Sequence, residues 1–498
     1  MTGSRIPPLA SALELRDALQ RAGVPFVHWK SNDHLAEALA GKTDIDMYVE
    51  PAYRAQFDAA MTRFGALRMQ SQPWASYPDV EDWLVLDRET GQSLHVHQHF
   101  VLITGLKRVK HLRLPWGETL MANLRTDPTS GWPIPAAEME LLILLVRIWA
   151  KMPPQRRWFA PKIPSHILRE IEWLRADASE PELRRLAGVL FPGLDPAVFA
   201  PLLSAKRPAS GELIRIAWML NDRLRENERM PWWRALLLAV KQNLRMVLAK
   251  ARRAIWPDVV TGKTLPSVGL MIALIGSDGA GKSTVGREIR KWLRFKLDVH
   301  SYYMGSGDGG TRPTDLVRRG IRALVKSLKG SKDGKPKTEK TGAASKPRGF
   351  FGMLIELYQL VIMRHKVKLL RAARRLTRGG SVALLDRYPQ TRFIGISDGP
   401  KIQGGRSFDW AARRELELYA QAAELGPDLV IKLRITPEAA LARKPDHDLE
   451  TIRRKCGIVD ALDFPGATVI EVDASQPLAD VVLRAKREIW KQLVARQS

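Results

Sequence analysis

Cysteine is nearly missing from this chain. Its 498 residues hold one, Cys456, which excludes an internal disulfide framework and suits a reducing compartment. No apolar run reaches the roughly 18 residues that span a bilayer, and residues 1–8 lack the apolar core of a secretion signal. A cytoplasmic location is therefore expected. Zinc-finger spacing, an RNA-binding signature and aromatics interleaved with basic residues are also absent, so no specific nucleic-acid binding is expected. Acidic residues are scarce: 53 stand against 79 lysines and arginines, a net charge of +26. The shortage is local. Residues 1–135 hold 15 acidic and 14 basic side chains, residues 136–266 hold 13 and 22, and residues 267–498 hold 25 and 43. The excess of cations favours phosphates, nucleic acid or anionic lipid and does not choose among them.

The most informative stretch present is Gly276, Ser277, Asp278, Gly279, Ala280, Gly281, Lys282, Ser283 and Thr284, which fits the phosphate-binding loop G-x-x-x-x-G-K-[ST]. An apolar run at 270–275 reads as a buried strand before it, and 285–295 reads as a helix after it. The glycines let backbone N–H groups turn inward onto phosphate oxygens, and the helix N-terminus adds its positive dipole end. Lys282 can reach the outer phosphates of a bound triphosphate, and the Ser283 hydroxyl can ligate Mg²⁺. ATP and Mg²⁺ are the expected cofactors.

The whole chain reads as α/β in three parts. Residues 1–132 carry short strands at 26–29, 45–49, 83–86 and 94–97 with helical segments between them, a small α/β domain. Residues 133–262 are helical; 138–151 reads as a buried helix. The stretch 232–256 sets Leu and Val among Lys241, Arg245, Lys250, Arg252 and Arg253, a pattern that fits an anionic membrane surface or a helix packed on one side. Residues 263–498 form the P-loop domain, a parallel sheet flanked by helices, interrupted at 326–348 by a segment rich in Lys, Gly and Ser and expected to be mobile.

A second element supports the loop. A helical pattern over 351–378 stops at Gly379-Gly380, and the apolar strand 381–385 ends in Asp386-Arg387-Tyr388. Ligands of open α/β sheets bind beyond the carboxyl ends of the strands, so Asp386 can hold Mg²⁺ or its waters and Arg387 can grip a phosphate. At this point the sequence resembles thymidylate kinase and its relatives. The carriers are GSDGAGKST, LLDRY at 384–388, PDLVIKL at 427–433 followed by TPEAAL at 436–441, and VDASQP at 472–477, four motifs in family order across about residues 268–498. The resemblance implies ATP-dependent phosphoryl transfer to a nucleoside monophosphate. It implies Lys282 at the transferring group, Asp278 at the acceptor's sugar, Arg387 and Arg364 at the acceptor, and Asp473 near the adenine. With Ala280 in the loop, the lid must supply the remaining cation, for which Arg443, Lys444, Arg453 and Arg454 are candidates. The segment at 302–307 and the one after Tyr388 differ from those that read thymine in the family, so the acceptor is expected to be dTMP or a related small molecule. The sequence leaves a homodimer open.

In the first domain, Trp29-Lys30-Ser31-Asn32 followed by Asp44-Ile45-Asp46 resembles the nucleotidyltransferase superfamily. Alternation puts Asp44 and Asp46 on one face, where paired carboxylates can hold Mg²⁺. His95 and His97 alternate onto one face as well and can replace a carboxylate as ligands. Two alternatives to a kinase alone follow. One is a bifunctional enzyme whose first domain transfers nucleotides to a sugar or small molecule. The other is a non-enzymatic ATP-gated scaffold at a membrane or on a polyanion.

Overall fold

A computed structural model describes residues 6–151, 163–204, 210–305, 350–402, 409–445 and 448–497. The segment 326–348, expected to be mobile, lies outside them. The protein is α/β and divides into two compact units, Met1–Pro266 and Ser267–Arg496.

In the first unit α1 (Ala10–Arg21) and α2 (Arg54–Phe64) accompany a five-stranded sheet made of β1 (Phe26–His28), β2 (Ile45–Val49), β3 (Leu67–Met69), β4 (Val80–Leu86) and β5 (Ser93–His99). The strand order is β1-β2-β5-β4-β3; β2 and β5 are parallel and the other neighbours antiparallel. The period of two sorts the side chains. Ile45, Met47, Val49, Val85, Leu94 and Val96 share one core with Leu15, Leu19, Phe57 and Met61 of the two helices. Asp46, Asp82, His95, His97 and His99 are the alternate residues of the same strands, so they belong to the opposite face; Asp44 immediately precedes β2.

The helical stretch that follows supplies most of a second core, which it shares with part of the sheet. The helix α3 (Ala137–Lys151) is buried from Ala137 to Ala150, and it packs in one cluster that also contains Val27, Trp29 and Tyr48 of the sheet. A helix apolar on all sides needs such a position. Its buried polar residues are paired: Glu140 accepts from the Asn32 backbone N–H (2.9 Å) and side-chain amide (2.8 Å), and Arg147 donates to Glu170 and Ser31. The helix α4 (Trp232–Ile255) is different, with only Ala235 and Ala239 buried.

The second unit holds β6 (Met271–Gly276), α5 (Lys282–Leu293), β7 (Val299–Tyr303), α6 (Phe350–Arg378), β8 (Val382–Asp386), α7 (Asp409–Glu424), β9 (Leu429–Arg434), α8 (Pro437–Arg443), α9 (Leu449–Ala461), β10 (Thr468–Asp473) and α10 (Leu478–Ala495). The five strands are all parallel, in the order β7-β8-β6-β9-β10. Right-handed crossovers on such an order send helices to both faces. The order reverses at β6, so the crevice at its carboxyl end is the place for a ligand. The end of α6 follows from its glycines: Gly380 takes φ +81°, its N–H donates to Thr377 and that of Ser381 to Leu376, a Schellman closure.

Candidate functional site

The loop leaves β6 at Gly276 and enters α5 at Lys282. Gly279 (φ +87°) and Gly281 (φ +78°) take the left-handed turns between them. Lys282 folds back over the loop, its Nζ donating to the carbonyl oxygens of Gly276 (2.7 Å) and Ser277 (2.8 Å). Burial pushes this ammonium down to about 8, and the nearby Arg387 adds to the effect against the pull of Asp278, Asp386 and Asp398.

Beside the loop, β8 ends in Asp386. Its Oδ1 is buried and makes no hydrogen bond among the described residues, and burial raises its pKa against the charges of Lys282 and Arg387. The chain then turns at Arg387, which has φ +75°, a strained value for a side-chain-bearing residue. Its backbone N–H still donates to Leu274 (3.1 Å), so the sheet holds the turn in place. The guanidinium lies between two carboxylates, Asp398 at 3.5 Å and Asp278 at 3.9 Å. Asp398 also meets Lys366 at 3.3 Å, and Asp278 meets Lys455 at 3.1 Å. Burial alone would raise Asp278; the hydrogen bond and charge of Lys455, with Lys282 and Arg387, outweigh it and hold the carboxyl below its usual range.

These residues surround a cavity of about 580 Å³, lined among others by Asp278, Lys282, Arg387, Asp398, Arg454 and Lys455. The helix α9 brings the last two; α8 and α9 are each started by a side-chain cap, Thr436 on the Ala439 N–H and Asp448 on the Thr451 N–H. Arg443 ends α8 with its guanidinium 3.4 Å from the Gly279 carbonyl.

Not every expected residue joins this group. Arg453 is exposed and lies 3.6 Å from Glu438. Arg364 lines a separate cavity of about 500 Å³ with Val361, Lys368, Arg371 and Arg414. Asp473 accepts from Ser475 and Gln476 at the end of β10, and these bonds keep its carboxyl below the usual range. Ser283 and Thr284 sit in the first turn of α5, and Ala280 is a buried residue of the loop itself. Sequence reasoning did not single out Lys366, Asp398 or Lys455 as site residues. The Asp398-Gly399-Pro400 turn signal was the available clue to the second.

On the first unit, Asp46 Oδ1 gathers three groups: Lys30 Nζ at 3.0 Å, His97 Nδ1 at 3.1 Å and His99 Nε2 at 3.5 Å. Burial would raise this carboxyl, but Lys30 and the two imidazoles outweigh it and hold it well below the usual range. Asp44 belongs to a neighbouring group. His95 Nδ1 lies 2.8 Å from Asp44 Oδ1, off the line of a hydrogen bond, while His95 Nε2 is 3.0 Å from the buried Asp82, which also meets Lys263 at 2.5 Å. The sequence reading named Asp44, Asp46, His95 and His97; the structure adds Asp82 and His99.

Sheet order, loop and helix together define the second unit as a P-loop α/β domain. No protein-family model matches the chain. The chain belongs to the family of the uncharacterized ATP-binding proteins YghR and YghS of Escherichia coli strain K12. It is 30% identical to YghR over 226 residues, 44% of this chain and 86% of that protein. It is 31% identical to YghS over 225 residues, 43% of this chain and 90% of that protein.

Proposed function

We propose that the second unit binds ATP with Mg²⁺ and transfers the terminal phosphoryl group to an anionic small-molecule acceptor, with a nucleoside monophosphate (dTMP or a related one) as the first candidate. The relatives' description as ATP-binding proteins supports the first half. The observation that carries the second half is the charge of the 580 Å³ cavity. Lys282, Arg387, Lys401, Arg454 and Lys455 line it against two carboxylates, Asp278 and Asp398. Such an excess suits two phosphorylated molecules brought together.

The residues present fit the cofactor. The loop N–H groups and Lys282 would hold the phosphates. Asp386, with its buried and unbonded Oδ1, and the Ser283 hydroxyl would hold Mg²⁺, which neutralises charge on the phosphate oxygens when bound. Arg387 would grip the acceptor's phosphate, Asp278 would face its sugar, and Arg443, Arg454 and Lys455 would meet charge developing on the transferring group. Arg453, exposed beside Glu438, would serve only after a movement of α9. In the transfer, the bond from the terminal phosphorus to the bridging oxygen breaks as the acceptor oxygen bonds to phosphorus, and the electron pair leaves with ADP. Asp278, held below its usual range, is a poor base, and Asp398 is occupied by Lys366 and Arg387. Both features favour an acceptor whose attacking oxygen already carries negative charge.

The test is ADP release by the full-length protein with ATP and Mg²⁺ against a panel of nucleoside monophosphates, sugars and sugar phosphates, with products identified by mass. The reading expects one class of monophosphate to accelerate release. Nucleotide binding with no acceleration by any acceptor would replace it with ATP-gated binding.

A further inference from the structure

We propose that Asp46, His97 and His99 of the first unit form a site for a divalent transition metal of the zinc type. The sheet aims all three side chains to one face, and their donor atoms form a triangle. Asp46 Oδ1 to His97 Nδ1 is 3.1 Å, Asp46 Oδ1 to His99 Nε2 is 3.5 Å, and the two nitrogens are 3.2 Å apart. Donors on a tetrahedral ion with bonds of about 2.0–2.1 Å stand about 3.3–3.4 Å from each other, whereas octahedral bonds of that length put them about 2.8–3.0 Å apart. Two of the three edges are hydrogen bonds, and all three lie close enough to these spacings for an ion to draw the donors onto it; the donor types choose the metal. Two imidazoles with one carboxylate suit zinc and disfavour Mg²⁺, which selects oxygen donors. The site therefore differs from a magnesium pair on Asp44 and Asp46, since Asp44 is placed against His95 instead.

The surroundings fit a three-ligand centre with an open position. His99 is fully buried and its ring is braced edge-on by Trp29, with centroids 5.3 Å apart. The side chains of His97 and Asp46 keep 19% and 22% exposure, which leaves room for water or a substrate group as fourth ligand. Lys30 competes with the metal, because its Nζ holds the Asp46 oxygen at 3.0 Å. Among the described residues no other group of three His, Cys, Asp or Glu donors is gathered in this way, so one ion per chain is expected.

Untagged full-length protein, stripped of metal, is titrated with Co²⁺ and then with Zn²⁺ against a chromophoric chelator. One equivalent should bind with the strong visible absorption of tetrahedral Co²⁺, and Zn²⁺ should displace it. His97→Gln and Asp46→Asn should each weaken binding at least about 100-fold, and Lys30→Met should tighten it. Circular dichroism checks that each variant is folded. A wild-type protein that gives no tetrahedral spectrum, or an affinity unchanged in both folded ligand variants, overturns the site; displacement by equimolar Mg²⁺ overturns its zinc character.

A separate observation supports a second inference, that α4 lies on an anionic membrane surface. Trp233, Leu237, Val240, Leu244 and Val247 recur every three or four residues, Leu248 adjoins the last, and all six are more than half exposed. They form a stripe opposite the packed Ala235 and Ala239. Six cations accompany them, Arg234, Lys241, Arg245, Lys250, Arg252 and Arg253, with no acidic residue in the helix. A second copy on this stripe would set like charges together, whereas anionic headgroups neutralise them. No described helix is long and apolar enough to cross a membrane, so the helix would lie in the interface plane. Full-length protein should cosediment with phosphatidylcholine vesicles containing phosphatidylglycerol and not with phosphatidylcholine alone, lose binding as salt rises, and lose it in Leu244→Glu. Absence of cosedimentation overturns the inference. So does a concentration-dependent dimer that Leu244→Glu abolishes, which would make the stripe a contact between copies.

Discussion

Lys282 supplies a test of the nucleotide site that needs no knowledge of the acceptor. Burial and the Arg387 charge hold its pKa near 8 in the free protein, so at pH 8 about half of the chains carry it neutral. A triphosphate beside Nζ restores the charged form, and binding must therefore take up protons. The expected uptake is about 0.1 proton at pH 7, about 0.5 at pH 8 and about 0.9 at pH 9. Since only the charged form binds well, the apparent Kd should rise about tenfold from pH 7 to pH 9, equivalent to about 1.4 kcal/mol. Stability of the free protein runs the other way. A lysine with a depressed folded pKa favours the folded state as pH rises from about 8 towards its unfolded value. Calorimetric titration with Mg²⁺ and a non-hydrolysable ATP analogue, in two buffers of different ionisation enthalpy, counts the protons. Lys282→Arg, which keeps its charge, should flatten the profile if it still binds. Tight binding with uptake below about 0.1 proton at pH 9 would refute the reasoning, because Lys282 would then be charged before the nucleotide arrives.

Other outcomes follow from the same geometry. Gly279→Ala should weaken ATP binding at least about tenfold, since φ is +87° and the new methyl would stand 2.9 Å from the Ala440 carbonyl oxygen. Gly281→Ala, at φ +78° with no described atom within 4 Å, should cost less in the same binding assay. Arg387→Ala should lose turnover of a verified acceptor by about 10³-fold or more while retaining ATP affinity, as measured by ADP release and by titration. Leu142→Ala, fully buried in the core that joins sheet and helices of the first unit, should destabilise that unit by about 2–5 kcal/mol in denaturant unfolding.

Local signals carried most of the fold. The apolar run before GSDGAGKST is β6, the Gly379-Gly380 pair is the Schellman end of α6, and Ile45-Asp46-Met47-Tyr48-Val49 is β2 with Asp46 on the face away from Ile45, Met47 and Val49. What stayed hidden depends on partners distant in the chain. Residues 299–303 form the edge strand β7, identified only through pairing with β8; by themselves they alternate too weakly. Arg364 and Lys366 are two positions apart on α6, a rotation of about 200°. That rotation leaves the expected arginine at the smaller cavity and turns the unnoticed lysine to Asp398.

The histidine strand makes the same point more sharply. Its alternation places His95, His97 and His99 on one face but says nothing of what they meet. Register decides that: Asp46 and Asp82 both stand opposite His97, one from the parallel neighbour β2 and one from the antiparallel neighbour β4. Residues 93–99 hold no carboxylate; the second acid their histidines meet, Asp82, comes from the strand before β5 in the chain and lies across β5 from β2 in the sheet. Once the register is known, the face separates into two groups of different chemistry, an Asp46–His97–His99 triangle and an Asp44–His95–Asp82–Lys263 chain. Substitution of His97 should therefore affect metal binding and, through its place opposite Asp82, only mildly the second group, whereas Lys263→Met should leave metal binding intact and destabilise the unit by leaving the buried Asp82 short of a counter-charge.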